Sequence, residues 1–495
     1  MITEEEAAKT QAQADAMRTN MAAEYAAENS KWKISKNIKD MEIFGDIRAR
    51  YEGRRETAPD GGRINLDRFR YSFRVGLRGD VMDDFYYGFR LETASNPRSS
   101  WVTMGTSTSG SPYWGPYGKS TSAIDVGQLY MGWDPVSWFD FTVGKMPNPL
   151  FTSSMVWSPS INPEGLAEHL KYSVGPVDFF ANFGQFLYQD QNPNDATVGF
   201  GVGNLLTGQN GNNIIQVAWQ GGLKVNFSTN FNIKAAAGLY KYYGMSRTSI
   251  KNNGFAPYYG DPYVGEGAYT GTNTVNPYNG ASGYGTSSTL PGWESLGYPN
   301  NQVGLDYLTV LEIPFEINYR FKKVDARIFG DFAYNLQGAQ RADLAASGYA
   351  AYLNYLHLSD SSINVKNLEF PAQTHDVKAY EFGLAVASRD CIGLVNGSVS
   401  RRHGWEARAY WQHIEQYSLD PNLLDLDYMA GAENLEGIYG AIAYGFNENF
   451  IATVRYGYAS RINHRIGTGG TGTDIPNINP INYFNLLQVD LTYKF

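Results

Sequence analysis

From residue 43 onward, apolar and polar side chains alternate with a period of two, the spacing of a strand with one dry face and one wet face. In 43–54, Ile43, Gly45, Ile47, Ala49 and Tyr51 fall on one side, and Asp46, Arg48, Arg50, Glu52 and Arg54 on the other. In 68–80, Phe69, Tyr71, Phe73, Val75 and Leu77 alternate with Arg68, Arg70, Ser72, Arg74 and Arg78. In 85–92, Phe85, Tyr87, Phe89 and Leu91 alternate with Tyr86, Gly88, Arg90 and Glu92. The same pattern predicts further strands at 123–133, 139–146, 165–173, 178–187, 213–225, 231–243, 305–321, 324–335, 377–388, 403–415, 434–446, 450–460 and 482–495, sixteen in all. Two of them, 123–133 and 165–173, have no clear apolar face.

The links between these strands alternate in length. Six of them, such as 81–84, 174–177 and 322–323, are short; a seventh, 389–402, is longer. On the other side of the strands, 56–67, 95–122, 147–164, 188–212, 244–304, 336–376, 416–433 and 461–481 are long, and rich in Gly, Tyr, Asn, Ser and Thr. A soluble sandwich has no reason to alternate in this way. A transmembrane barrel does, with short turns at one rim and long wet loops at the other.

Composition narrows the picture. The chain has 495 residues, 15% of them aromatic and only 18% charged. It contains no run near the roughly 18 apolar residues of a spanning helix, which leaves strands as the means of crossing a membrane. A single Cys excludes a disulfide scaffold and a multi-cysteine metal centre. A net charge of −9 speaks against nucleic acid as a partner. The six histidines show no metal-ligand spacing within one strand, and no GxSxG, P-loop or HExxH is present. The reading is therefore non-enzymatic, with no cofactor and no metal. Residues 1–30 lack a basic start followed by an apolar core, so an export signal is expected to have been outside this chain.

The last strand ends with Leu487, Val489, Leu491, Tyr493 and the terminal Phe495 on one face, an ending that resembles the C-terminal recognition strand of bacterial outer-membrane proteins. The stretch 44–92 (FGDIRARYEG, then RFRYSFRVGLRGDVMDDFYYGFRLE) and the segment VGKMPNP at 143–149 resemble the putative-porin family related to the phosphate-selective porins. The resemblance implies a 16-stranded channel in the outer membrane, surrounded by lipid and lipopolysaccharide, usually a homotrimer, with a third long loop folded inward. The alternative for 147–164 is an external loop. That family's phosphate-binding Arg/Lys loop has no counterpart here, so phosphate selectivity does not carry over.

If the apolar face meets lipid, the polar face lines a lumen. The first three strands would bring Arg48, Arg50, Arg54, Arg68, Arg70, Arg74, Arg78 and Arg90 there, against Asp46, Glu52, Asp80 and Glu92. Later strands add a mixed set that includes Glu312, Glu316, Arg320 and Arg408. Either a basic patch biases solute passage, or the charges form a stiffening salt-bridge lattice. Residues 4–28 read as an Ala/Glu-rich helix, placing an N-terminal periplasmic segment at 1–40 that could touch the cell wall, followed by the barrel at 41–495. A second helix is expected near 339–356. The whole is all-β: a 16-stranded antiparallel transmembrane barrel for passive diffusion of small hydrophilic solutes. Two rivals stand beside that reading, a structural barrel anchoring envelope material and a barrel enzyme.

Overall fold

The computed structural model describes residues 38–57, 63–82, 84–94, 99–105, 123–189, 214–243, 307–343, 346, 372, 374–420, 423–464 and 481–495. The expected N-terminal helix lies outside them, and of the helix near 339–356 only helical residues 338–343 and 346 lie inside.

Among the described residues, seventeen strands form one sheet: β1 (Glu42–Thr57), β2 (Arg63–Met82), β3 (Phe85–Ala94), β4 (Val102–Thr103), β5 (Ala123–Val136), β6 (Phe139–Lys145), β7 (Glu164–Val174), β8 (Val177–Gln189), β9 (Ile214–Ser228), β10 (Phe231–Tyr243), β11 (Thr309–Arg320), β12 (Val324–Asn335), β13 (Lys378–Ser388), β14 (Trp405–Ile414), β15 (Leu435–Gly445), β16 (Phe450–Arg461) and β17 (Tyr483–Lys494). The two-residue β4 pairs only with Arg70 and Tyr71 of β2. The other sixteen are the wall of the barrel, and each matches a strand read from the alternation.

Each wall strand pairs antiparallel with its sequence neighbours, and β1 pairs with β17 to close the ring, Ala49 opposite Leu491 and Arg50 opposite Asp490. Closure satisfies both edges, which an open sheet in lipid could not do. The terminal residue takes part: Phe495 and Gly45 exchange backbone hydrogen bonds of 2.9 and 3.1 Å. A Cβ on Gly45 would lie 2.6 Å from the Phe495 ring, so only glycine lets that ring cross.

The outer face is apolar. Ile43, Ile47, Phe69, Leu129, Phe382, Ile442 and Val489 are exposed along it, and Trp138, Tyr172, Tyr319, Trp405, Tyr444 and Tyr493 gather toward the short-turn rim. The inner face is polar and largely buried. The unclear face of β5 has a local cause. Opposite Arg90 and Leu91 the register slips, with Gln128 and Val126 as partners and Gly127 extra. This bulge moves the outward set from Ile124 and Val126 to Leu129, Met131 and Trp133, switching parity in mid-strand. In β7 the outward set is Leu166, Glu168, Leu170 and Tyr172, and the carboxylate among them breaks the pattern.

Candidate functional site

The interior of the barrel is where the chemistry collects. β1, β2 and β3 present their guanidinium groups inward because every second position of these strands is polar and the intervening ones need lipid. The result is a lattice. Arg68 grips Glu52 at 2.5 Å, and Arg70 reaches the same carboxylate at 3.2 Å. Arg74 and Arg48 share Asp46 at 2.6 and 2.8 Å. Arg78 pairs with Glu42 at 2.6 Å, Arg90 with Glu92 at 3.0 Å, and Arg54 with Glu56. Arg50 is the hub. It gives two hydrogen bonds of 2.7 and 2.9 Å to Asp490 and two of 2.8 and 2.9 Å to Asp427, and lies 4.0 Å over the Trp101 ring. Arg455 also pairs with Asp490.

The expected surplus of four charges is therefore mostly answered. Glu42, Glu56, Asp427 and Asp490, outside the set counted from the first three strands' inward alternation, supply the missing carboxylates. Nine guanidinium groups (the eight above and Arg455) meet seven carboxylates (Glu42, Asp46, Glu52, Glu56, Glu92, Asp427 and Asp490).

On the later strands the charges pair more locally. Glu316 accepts from Arg327 at 3.0 Å, and Arg320 pairs with Asp390 at the short-turn rim. Arg408 holds Glu406 at 2.6 Å, while Glu406 also accepts the backbone N–H of Gly393 (2.9 Å) and Val395 (2.8 Å). Arg455 Nη2 donates to the Val395 carbonyl at 2.8 Å. The longer link after β13 is thereby drawn inside the barrel mouth, with Leu394 and Val395 buried.

Two long loops also fold inward. In the link between β6 and β7, Phe151 exchanges hydrogen bonds with the Gln220 side chain (2.8 and 2.7 Å). Thr152 donates to Glu312 at 2.5 Å, and Ser153 to Asp331 at 2.6 Å. Met155, Val156 and Trp157 bury themselves beside it. Of the two expectations for 147–164, the inward one describes these contacts. Glu312 is consequently sealed, at 0% exposure, and anchors a loop rather than facing open water. Arg50 and Arg70 are equally enclosed, while Arg48, Arg54, Arg68, Arg74, Arg90, Glu316, Arg320 and Arg408 keep some exposure.

The second inward loop joins β14 to β15. Ser158 N–H of the first loop donates to Leu423 O of the second at 2.6 Å, so the two loops brace each other. Tyr428 packs against Tyr410 and Tyr439, and Tyr242 donates to Asp420 at 2.7 Å. Between this loop and the arginine wall lies a small, largely enclosed pocket lined by Glu52, Arg54, Arg68, Arg70, Ser99, Leu426 and Asp427. Burial works to raise the Asp427 carboxyl, but Arg50 more than reverses this and holds it down at about 2. Burial and the charge of Asp427 push Asp425 up to about 7. Asp427, Trp101, Thr152 and Ser153 were not picked out by alternation, since none stands on a wall strand. A D-x-D pair in a long loop facing an arginine-rich wall was the one available signal.

A closed antiparallel wall, apolar and aromatic outside and charged within, is the architecture of an outer-membrane β-barrel. Residues 61–495 match the model of the family described as Putative porin, and the chain belongs to that family. Among solved structures, it is similar to a Salmonella typhi OmpF complex with daunomycin (10% identity, 93% of this chain and 99% of that chain covered, TM-score 0.40). It is also similar to in-vitro folded OmpT, an outer-membrane protein of Vibrio cholerae (10% identity, 93% and 100% covered, TM-score 0.38). The search of curated proteins gave no match.

Proposed function

We propose that the protein conducts small hydrophilic solutes and ions passively across the outer membrane, as a homotrimer with its short turns in the periplasm. The supporting observation is the charged inner face of the closed wall, where Arg48, Arg54, Arg68, Arg74 and Arg90 keep some exposure. A wall charge there acts on a passing ion at close range and in a narrow, poorly screened space. Two guanidinium groups beyond the number of paired carboxylates give the route a slight anion preference. The test is the reversal potential of purified protein in a planar bilayer under a salt gradient. Stable open steps with an anion-leaning potential are expected, and Arg54→Glu with Arg68→Glu should move it toward cations. Well-folded protein that passes no current would sink this reading and promote the envelope anchor.

Acidity should modulate the current through the second loop. Asp425 keeps its proton in the docked loop up to about 7, whereas a free loop gives it up near 4. Docking is therefore weakened progressively as pH rises from about 4 to 7, and no further above that. Asp427 acts in the opposite sense: its bond to Arg50 is lost as pH falls from about 4 toward 2. The loop is held hardest near pH 4. Conductance is expected to rise from pH 4.5 to pH 7.5 and then level off, and Asp425→Asn should flatten that rise. A rise that survives Asp425→Asn would assign it to another group.

A further inference from the structure

The outer wall carries one feature that lipid does not explain. The hydrogen-bonded row through Glu168 starts at Phe85 beside the short-turn rim. It passes Trp133, Phe141, Glu168, Phe183 and Trp219, and ends at Tyr334 by the long-loop rim. Strands tilt in a barrel, so such a row climbs across the membrane. Glu168 sits halfway along it, at mid-height, among aromatic and aliphatic neighbours. It is half-exposed on the face that also shows Leu166 and Tyr172. Beside it on β8, exposed Gln185 donates to Glu168 Oε2 at 3.4 Å. Hydrocarbon at that depth offers neither donor nor acceptor, and lipid headgroups, which do, lie at the two rims.

Further along the same wall, over β8 to β11, the surface is hollow. Gly221 and Ala237 form the floor of an apolar depression, with Phe183, Trp219, Leu239 and Leu311 around it. A Cβ built on Gly221 would meet nothing within 4 Å. A projecting side chain from a neighbouring wall fits such a hollow, and Phe183, the ladder partner of Glu168, stands between it and the polar pair.

We infer that a second copy of this chain covers the β7–β10 wall in the membrane, with the Glu168–Gln185 pair of one copy bonded to that of the next. The inference rests on the self-association proposed above and names the surface that carries it. The chain itself is the favoured occupant because the pair complements its own repeat. A Gln185 amide has a second hydrogen, and a Glu168 carboxylate a second oxygen, so amide to carboxylate can run around a closed ring of copies. The hollow then takes an apolar side chain of the neighbour, which excludes lipid from the polar ring.

The test uses the full-length protein in mild detergent, its mass measured by light scattering, with heat-shifted gel mobility to report that the barrel is folded. Ala237→Trp, which fills the hollow, and Glu168→Leu, which removes the acceptor, should each convert the assembly to single folded chains. Glu168→Gln, which can still hydrogen-bond, should keep it assembled. Ile442→Trp, on outward-facing β15, should leave it unchanged. Assembly of both disruptive variants at the parent mass would overturn the inference, as would a parent protein that is a single chain. Bilayer current recorded on the same samples separates the outcomes: a parent protein that is a single chain and still conducts would reject this surface and leave the channel standing.

Discussion

Replacing residues 149–161 by a short Gly/Ser link is expected to raise single-channel conductance several-fold. The loop enters the lumen from the β6–β7 edge and reaches β9, β11 and β12 through Phe151, Thr152 and Ser153. It also supports the second loop through Ser158 and Leu423. Removing it opens the ground it occupies and loosens its neighbour. The wall should survive, because the β6–β7 ladder from Phe139 and Leu170 to Lys145 and Glu164 contains none of the excised residues. Thr152→Val with Ser153→Ala is a milder version. It leaves Glu312 and Asp331 without two hydrogen bonds and should make the current noisier without enlarging it as far. Planar-bilayer recording decides, and an unchanged conductance in the excised protein would mean that ions take a route this loop does not border.

Arg50→Met should be the most damaging single substitution in the wall. Arg50 satisfies Asp490 from the adjacent strand and Asp427 from the loop above, and is itself almost fully buried. Its removal takes two hydrogen bonds from Asp427 and leaves Asp490 with Arg455 alone; breaking a buried charge network in this way costs up to about 3–5 kcal/mol. Arg50→Lys keeps the charge but not the planar fork that serves both carboxylates, so it should recover only part of the loss. The unfolding free energy of the refolded barrel in micelles, from a urea titration, gives the comparison. A loss for Arg50→Met no larger than for an exposed pair such as Arg55–Asp67 would show that the hub is not a keystone.

The wall could be read from the sequence because a membrane strand must alternate, and alternation survives without any knowledge of neighbours. Where the reading blurred, the cause was local. At Gly127 a bulge reverses parity in β5, and at Glu168 a polar residue stands on the apolar face. The interior was legible in kind but not in arrangement. The arginines of β1 to β3 were visible as a set. Of their partners, Asp46, Glu52 and Glu92 were visible beside them, but the partners of Arg50 were not, since Asp490 lies 440 residues from it and Asp427 lies 377 away. The inward loops were least legible. Their positions depend on hydrogen bonds from Thr152, Ser153 and Ser158 to distant side chains and backbone, and residues of these types occur equally in loops that stay in water.

The joint between β1 and β17 also bears on how the molecule is made. Every other long-strand pairing joins neighbours in the chain, so the wall can lengthen hairpin by hairpin at small entropic cost. The final seam must instead bring together segments more than 400 residues apart in sequence. Until then the growing sheet keeps two sticky edges, each a template for a wrong partner. Closure entropy grows only slowly with length, so the delay comes less from the search than from having to complete the rest of the ring first. A chain shortened by even its last strand would have no partial version of the product, and its exposed rim would mark it for aggregation or degradation before it reached the bilayer.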